Sequence, residues 1–241
     1  MGRDKEDHSM GLKDDLTADV RKIYRDVWSE RDGQKVPEVD DVKLGNDAVK
    51  IEAAVLYADL ADSTKLVDGH DWKFAAEVYK TYLHCASKII KNEDGVITAF
   101  DGDRVMAVFF NGAKNTNAVR AGLKLKWAVA NIINPALKAQ YQSTSYEVRQ
   151  VVGIDSSVLH VARTGVWGDN DLVWVGRAAN YAAKLSSINE PGYFTFITET
   201  VYKTMHEDAR LSDNGADMWE RRTYSLNGLG TYRSNIGWTI H

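Results

Sequence analysis

Residues 53–64 read Ala-Ala-Val-Leu-Tyr-Ala-Asp-Leu-Ala-Asp-Ser-Thr, an apolar strand pattern that stops at Asp59 and continues through small residues. Residues 100–110 read Phe-Asp-Gly-Asp-Arg-Val-Met-Ala-Val-Phe-Phe, which places Asp103 in a tight turn before a second apolar run. If a helix and a strand connect the two stretches, the first strand and the turn finish at the same edge of one sheet. We therefore predict that the carboxylates of Asp59 and Asp103 converge at that edge.

Two converging carboxylates predict a metal site. Carboxylates with open coordination positions suit Mg²⁺ or Mn²⁺ that is bound jointly with the phosphates of a substrate. The pair therefore points to phosphoryl chemistry on a nucleotide. The alternative is that Asp101, Gly102 and Asp103 form only a hairpin turn, for which Asp and Gly are the expected residues.

The bulk composition is that of a soluble globular protein. The 241 residues suffice for one sizeable core, or for one domain with an appendage. Hydrophobic residues make up 44% of the chain and charged residues 27%, which excludes a disordered protein. The net charge is −4, and the basic cluster at residues 124–126 is broken by an apolar residue, so we expect no nucleic-acid surface.

The sequence shows no pattern of a membrane-spanning segment or a secretory signal. No apolar run approaches the ~20 residues of a membrane span, and residues 1–8 carry no apolar signal core. We therefore expect no membrane association and a cytoplasmic location. The single cysteine, Cys85, cannot form an internal disulfide and lies in a helical pattern, where a buried apolar role is favoured over a nucleophile.

The chain divides into an N-terminal appendage and a compact domain. Apolar residues at helical spacing predict an amphipathic helix over roughly residues 12–30, and a polar stretch follows it. We predict an N-terminal helix and arm at residues 1–48 and the compact domain at residues 49–241.

The compact domain reads as alternating strands and helices. The predicted order is strand 51–57, helix 72–91, strands 96–100 and 105–110, helix 116–140 with a kink at Pro135, strand 148–155, a β-rich segment 156–175, helix 177–188, strand 193–197, helix 199–205, and strands near 222–225 and 237–240. This order predicts an α+β fold with a ferredoxin-like βαββαβ core, extra strands and helices, and a largely antiparallel sheet.

The turn after Asp59 is a candidate phosphate cradle. It exposes several backbone N–H groups before the next helix begins, and the hydroxyl groups of Ser63 and Thr64 lie among them. The alternative is an ordinary capping turn, in which Asp62 or Ser63 satisfies the start of the helix.

A third motif, Val-Trp-Val-Gly-Arg-Ala-Ala-Asn-Tyr-Ala-Ala-Lys-Leu at residues 173–185, enters a helix after Gly176. Asn180 and Lys184 are four residues apart and share one helical face, where an amide and a cation would hold a ribose or a triphosphate. The alternative is a polar stripe on a solvated helix. Four alanines in the motif suggest close packing against a neighbour, such as another subunit.

In their order and spacing, the three motifs resemble the class III nucleotidyl cyclase catalytic domain over roughly residues 49–240. The resemblance implies that Asp59 and Asp103 bind two divalent ions, Mg²⁺ or Mn²⁺, with the backbone of Leu60 as a further metal contact. One ion would activate the ribose 3′-hydroxyl for in-line attack on the α-phosphorus, and the other would hold the leaving pyrophosphate. Because the family's partner subunit completes each site, a head-to-tail homodimer is implied. The remaining implied contacts are phosphate binding by Ala61, Asp62, Ser63 and Thr64, ribose positioning by Asn180, and charge stabilisation by Lys184.

The residues that read the base depart from the purine cyclases of this family. Ala99 stands where adenylate cyclases carry a lysine and guanylate cyclases a glutamate. Val173 stands where adenylate cyclases carry an aspartate and guanylate cyclases a cysteine. The loss of both readers favours a different base, because pockets that hydrogen-bond one base discriminate strongly. Lys184 replaces the family's arginine. Leu229 stands where a triphosphate-binding lysine is expected, which makes Arg221, Arg222 and Arg233 candidates for that contact.

This combination resembles the pyrimidine cyclases of bacterial Pycsar anti-phage systems. The resemblance implies conversion of UTP or CTP to the 3′,5′-cyclic nucleotide, which activates a separate effector. Tyr57 is then a candidate reader of the smaller base, with a packed core aromatic as the alternative. Competing functions are an adenylate cyclase whose base is read by other residues, a catalytically inactive nucleotide-binding regulatory module, and a structural domain that binds no nucleotide.

Overall fold

The computed structural model describes residues 11–240, apart from the side chains of residues 223–225. Within that range, a nine-stranded sheet forms the centre of the molecule. Its two longest strands, Asp47–Leu60 (β2) and Gln150–Val166 (β5), pair antiparallel along most of their length. β2 is buried at most positions, which agrees with its nearly continuous apolar sequence.

The other strands of the sheet are Ser29–Asp32 (β1), Val96–Asp101 (β3), Arg104–Phe109 (β4), Asp169–Val175 (β6), Thr195–Thr198 (β7), Glu220–Leu226 (β8) and Leu229–Ser234 (β9). The strand order across the sheet is β3-β4-β2-β5-β7-β9-β8, and in addition β1 pairs with β2 and β6 pairs with β5. β1 with β2 and β5 with β7 are the parallel pairs, and the others are antiparallel. The predicted α+β fold with a largely antiparallel sheet is confirmed. The helices are Leu12–Arg25 (α1), Ser63–Gly69 (α2), Trp72–Asn92 (α3), Lys114–Ala128 (α4), Asn134–Gln140 (α5), Arg177–Ser186 (α6) and Glu199–Thr204 (α7).

Helix α3 shows how the sequence builds the helical layer. Asp71 caps its start by accepting a hydrogen bond from the Lys73 N–H at 2.7 Å. Phe74, Val78 and Tyr82 recur at helical spacing and are buried. Burying each such side chain contributes roughly 1.5–3 kcal/mol before the cost in conformational entropy.

Two apolar clusters hold β2 from opposite faces. On one face, residues of α3 such as Phe74 pack with Leu56. On the other face, residues of α6 such as Ala178 pack with Val55. This alternation follows the two-residue period of strand side chains. The register of β2, and hence the place where it ends, is therefore fixed from both sides.

The N-terminal helix is shorter than predicted. α1 ends at Arg25, and residues 29–32 form β1 instead of a last helical turn. The Asn46 side chain holds the end of the helix from a distant part of the chain. Its amide donates to the backbone oxygens of Ile23 and Asp26 at 2.8 and 2.7 Å.

The predicted helix over residues 116–140 consists of three parts. α4 ends at Ala128, a π-helical turn spans Val129–Ile133, and α5 follows. Pro135 lies in the first turn of α5 rather than in a helix interior. A proline has no N–H and crowds the carbonyl four residues before it, so the widened turn lies just upstream of it.

The predicted strand over residues 237–240 is wrong. The last strand is β9, and the segment after it packs across α4, where the Trp238 N–H donates to the Leu123 oxygen at 3.0 Å. The other predicted elements are present, with ends shifted by a few residues. No helix among residues 11–240 combines the length and the apolar character needed to cross a bilayer.

Candidate active site

The end of β2 carries the first aspartate of the site. β2 ends at Leu60, and Ala58 pairs with Val105 at the start of β4. This register places Asp103, two residues before Val105, beside Asp59. The structure thus brings the two carboxylates together, as the topology predicts.

Asp59 lies where a negative charge is disfavoured. Burial and the neighbouring carboxylate of Asp103 raise the pKa of Asp59 to about 6. The positive charge of Arg104 and a hydrogen bond from the Leu60 N–H lower the pKa of Asp59, but by less than burial and Asp103 raise it. One oxygen of Asp103, Oδ2, is buried and has no hydrogen-bond partner among the described residues. A divalent cation would neutralise such a pair, so the residues present fit a metal.

The site does not enclose a cation by itself. In the described part of the chain, no group of three or more His, Cys, Asp or Glu side chains is arranged to hold a metal. A cation at Asp59 and Asp103 would therefore take its other ligands from backbone oxygens, water or substrate phosphates, as Mg²⁺ commonly does. Tyr82 supports the strand end, because its buried hydroxyl donates to the backbone oxygen of Asp59 at 3.2 Å.

Ion pairs shape the loop that follows Asp59. Asp62 has a left-handed backbone, with φ of 60° and ψ of 29°, and its side chain does not cap α2. The carboxylate of Asp62 instead pairs with Lys65 at 2.9 Å and with the guanidinium of Arg149. These hydrogen bonds, that of Lys65 foremost, lower the pKa of Asp62. The capping turn considered from the sequence is therefore not formed by Asp62.

The same loop borders a polar cleft. The Ala61 N–H donates to the Arg149 backbone oxygen at 2.8 Å, which fixes the loop to the start of β5. Ser63 hydrogen-bonds with Tyr79, and Thr64 is exposed. A cleft of about 480 Å³ beside the loop is lined by Ala61, Asp62, Lys65, His70, Ser145, Tyr146, Glu147 and Arg149. Its lining includes the cations Lys65 and Arg149 and the carboxylates Asp62 and Glu147. Both cations pair with Asp62, so they would suit the phosphates of a nucleotide only after they leave Asp62.

The candidate base-reading residues of β2 and β3 lie in one row. Ala99 and Tyr57 are both opposite Met106 in the strand between them. The guanidinium of Arg104 lies 5.2 Å from the centre of the Tyr57 ring and pairs with Asp101 at 2.8 Å. Burial raises the pKa of Tyr57, so its hydroxyl is neutral and can donate a hydrogen bond.

Arg104 is a residue that the sequence argument missed. Its Nε is buried and has no hydrogen-bond partner among the described residues. The available signal was its position directly after Asp103, which puts a cation next to the predicted carboxylate pair.

The structure does not bring Asn180 and Lys184 to the carboxylate pair of the same chain. Both side chains are exposed on α6. Asn180 Nδ2 lies 3.5 Å from the Gly176 oxygen, and Lys184 Nζ lies 5.8 Å from the centre of the Tyr181 ring. Lys184 is not among the groups that shift the pKa of Asp59. Val173, on β6, is likewise exposed to solvent.

Helix α6 is nevertheless held firmly on the sheet. A Cβ at Gly153 would lie 2.1 Å from the Ala182 oxygen, so only glycine allows this crossing of β5. At the start of α6, Arg177 binds the fully buried carboxylate of Asp155 at 2.9 and 3.2 Å, and Thr198 donates to the same carboxylate. The alanines Ala178, Ala179 and Ala182 pack against this chain's own sheet rather than against another subunit.

Two of the three arginines considered for the triphosphate are already paired. Arg222 and Arg233 both bind Glu190, and Arg233 also binds Glu220 at 2.8 Å. Arg221 is exposed on β8. Arg149 and Lys65, which the sequence argument did not consider, are the cations at the loop after Asp59.

Solved structures define the class of fold. No protein-family model matches the chain. The adenylyl cyclase CyaB from P. aeruginosa matches 78% of this chain and 95% of its own, with a TM-score of 0.64 and 22% identity. The guanylyl cyclase Cya2 matches 78% of this chain and 94% of its own, with a TM-score of 0.66 and 18% identity. The fold is therefore that of the class III nucleotidyl cyclases.

Sequence relatives narrow this class. A uridylate cyclase of Xanthomonas perforans is 51% identical over 233 residues, which cover 96% of this chain and 100% of that protein. A uridylate cyclase of Burkholderia cepacia is 47% identical over 233 residues, with the same coverage of both chains. The chain belongs to the uridylate cyclase family.

Proposed function

We propose that this protein converts UTP to 3′,5′-cyclic UMP and pyrophosphate. The observation that carries the proposal is the pair of carboxylates at Asp59 and Asp103 in a member of the uridylate cyclase family. The pKa of Asp59 is raised, and Oδ2 of Asp103 is buried without a hydrogen-bond partner among the described residues. In this reaction the ribose 3′-oxygen forms a bond to the α-phosphorus. The bond from that phosphorus to the β-phosphate bridging oxygen breaks, and the hydroxyl proton leaves to solvent.

Asp59 and Asp103 would hold two ions of Mg²⁺ or Mn²⁺, with Leu60 as a backbone contact. Held by Asp59 and Asp103, such ions would lower the pKa of the ribose 3′-hydroxyl and offset the charge of the triphosphate. The chain's own part is to position: Tyr82 fixes the end of β2, and the packed faces of the sheet fix its register. Orientation of this kind accounts for several kcal/mol of the barrier in such reactions.

The loop Ala61 to Thr64 would contact the phosphates, with Asp62, Ser63 and Thr64 among the contacting residues. Lys65 and Arg149 would leave the Asp62 carboxylate and bind the triphosphate instead. A guanidinium binds phosphate oxygens in a bidentate manner, so Arg149 suits the role left open by Leu229.

The base would lie against the row formed by Tyr57 and Ala99. Ala99 offers space without a charge, and the Tyr57 hydroxyl and the guanidinium of Arg104 would donate to the carbonyl oxygens of uracil. The second position at which purine cyclases carry a base-reading residue is occupied by the apolar Val173, which has no side-chain hydrogen-bonding group. The Arg104 guanidinium can only donate, so it would favour a carbonyl oxygen of uracil over the exocyclic amine of cytosine, whereas the Tyr57 hydroxyl can face either group.

The active enzyme would be a homodimer with its sites at the interface. Asn180 and Lys184 are exposed, and Lys184 does not shift the pKa of Asp59 of its own chain, which suits both residues to the partner's site. There Asn180 would position the ribose and Lys184 would offset charge on the α-phosphoryl oxygens.

We infer a signalling role from the same family resemblance. Cyclic UMP would serve as a second messenger that activates a separate effector in bacterial anti-phage defence, within the cytoplasm. Phage plating on cells that carry the cyclase together with its effector gene tests this role. Fewer plaques with the wild type than with Asp103→Asn are expected, and equal plaque numbers would contradict it.

The test of the activity is synthesis from UTP by purified protein with Mn²⁺, with products identified by mass spectrometry. We expect cyclic UMP and pyrophosphate in equal amounts, and a loss of at least 100-fold in Asp103→Asn. Asp68→Asn, an exposed aspartate on α2, is the matched control and should retain full activity. Full activity in Asp103→Asn, or nucleotide binding without product, would contradict the proposal.

A further inference from the structure

The helix α1 carries an apolar face that nothing in the described chain covers. None of its residues is buried. Leu12, Leu16, Val20 and Ile23 lie on one side of the helix and are between 49% and 74% exposed, and Tyr24 beside them is 87% exposed. Single exposed apolar side chains are ordinary, but a continuous row on one helix marks an interaction surface.

This face is presented in a defined way. The amide of Asn46 binds the last turn of α1 through Ile23 and Asp26. The strand β1 follows and pairs with β2, and Arg31 in β1 binds Asp47 at 2.8 Å. The helix is thus attached to the sheet at its C-terminal end, while its apolar row stays open.

We propose that this face of α1 packs against the same face of α1 in a second copy of the chain, in antiparallel orientation. Leu16, Val20 and Ile23 are separated by four and three residues, the alternation that lines a seam between two helices. A two-fold axis makes such a surface complementary to itself, since each row meets an identical row.

The charges of α1 favour the antiparallel arrangement over the parallel one. The first half of the helix, residues 12–18, carries Lys13, Asp14 and Asp15, and the second half, residues 19–25, carries Asp19, Arg21, Lys22 and Arg25. The first half is therefore net acidic and the second half net basic. An antiparallel pair places each acidic half beside the basic half of the partner, whereas a parallel pair places like charges together. The mixture also disfavours a membrane surface, for which a polar face rich in Lys and Arg is typical.

The helix pair adds to a dimer that is held elsewhere as well. Stable interfaces commonly bury about 1,200–2,000 Å² in total, more than two helices of four turns supply. The inference therefore rests on the homodimer of the proposed function for the remaining contact area. The contact that α1 adds to this dimer is an antiparallel pair of helices.

Cysteine cross-linking of the full-length protein tests the pairing. In a Cys85→Ser background, Val20→Cys lies near the middle of the row and should cross-link to its own copy with a short bismaleimide. Leu12→Cys should not, because its two copies would be roughly 24 Å apart at 1.5 Å per residue. Ala18→Cys, on the opposite side of the helix, is the matched control.

If Val20→Cys gives no more cross-linked dimer than Ala18→Cys, the helix pairing is overturned. If Leu12→Cys cross-links efficiently to its own copy, the antiparallel direction is overturned. As a second measurement, Leu16→Glu should weaken dimerisation about 10-fold in sedimentation, with Ala18→Glu unchanged. Binding of the wild type to anionic vesicles that Leu16→Glu abolishes, with dimerisation unaltered, would also contradict the proposal. Each variant is assayed for cyclic UMP in parallel: normal synthesis without cross-linking overturns only the helix pairing, and absent synthesis in the wild type overturns the proposed function.

Discussion

At the scale of single residues, the fold concentrates negative charge at one sheet edge, where the nearby cation Arg104 offsets it only in part. Asp59 is half buried beside Asp103, and the nearby Arg104 is already paired with Asp101. Such an arrangement costs stability, and the cation of the proposed function would relieve that cost.

The substitution Asp59→Asn should therefore stabilise the metal-free protein. The pKa of Asp59 rises from 3.8 to about 6 on folding, so its favourable contribution is present below pH 4 and is lost as the pH rises through 6. Above pH 6 the variant should be about 1–2 kcal/mol more stable than the wild type, a value reduced for the solvent that reaches a half-buried group. Denaturant unfolding in chelator at pH 4 and pH 7.5 measures this difference. A variant that is less stable than the wild type at pH 7.5 would contradict the electrostatic account.

The substitution Tyr57→Phe should alter base choice with little effect on folding. It removes one hydroxyl from a half-buried ring and leaves the packing against the sheet in place. We expect kcat/KM for UTP to fall about 10-fold, as for the loss of one hydrogen bond to a substrate. Tyr24→Phe, on exposed α1, is the control. Unchanged kcat/KM and unchanged preference among nucleotides would assign Tyr57 a packing role only.

At the scale of elements, sequence patterns predicted strands and turns that depend on neighbouring residues, and they missed features that depend on contacts between distant segments. The strand ending at Asp59 and the turn at Asp103 were predictable because a short apolar run and an Asp-Gly-Asp turn are both visible in the sequence. The end of α1 was not, since Asn46 supplies the contact that ends it from a distant segment. For the same reason the pairing of Arg149 with Asp62 had no signal in sequence spacing.

Helix α6 depends on one buried ion pair for its position. Asp155 is fully buried and binds Arg177 and Thr198, so Asp155→Asn leaves the guanidinium incompletely paired. The expected cost is about 3 kcal/mol in unfolding free energy, with a fall in kcat because α6 carries Asn180 and Lys184. Thr200→Val removes one hydrogen bond to Arg177 and should cost about 1 kcal/mol. Equal unfolding midpoints for Asp155→Asn and the wild type would contradict this assignment.

At the scale of the whole molecule, the proposed dimer divides each site between two chains. Asp103→Asn and Asn180→Ala should each abolish activity alone, because every site of either homodimer is defective. After mixing and subunit exchange, half of the dimers are mixed, and each contains one site with both residues intact. About a quarter of wild-type activity should then return. No recovery after verified exchange would place Asn180 in the site of its own chain.

Competition among the four nucleotides tests the base pocket and the reaction in one measurement. Purified protein is given ATP, GTP, CTP and UTP at equal concentration with Mn²⁺, and the cyclic products are quantified by mass spectrometry. The arrangement of Tyr57, Ala99 and Arg104 beside the carboxylate pair predicts that cyclic UMP dominates and that Asp103→Asn makes none. Cyclic AMP or cyclic GMP as the main product would contradict the account of the base pocket, and no cyclic product would contradict the assigned reaction.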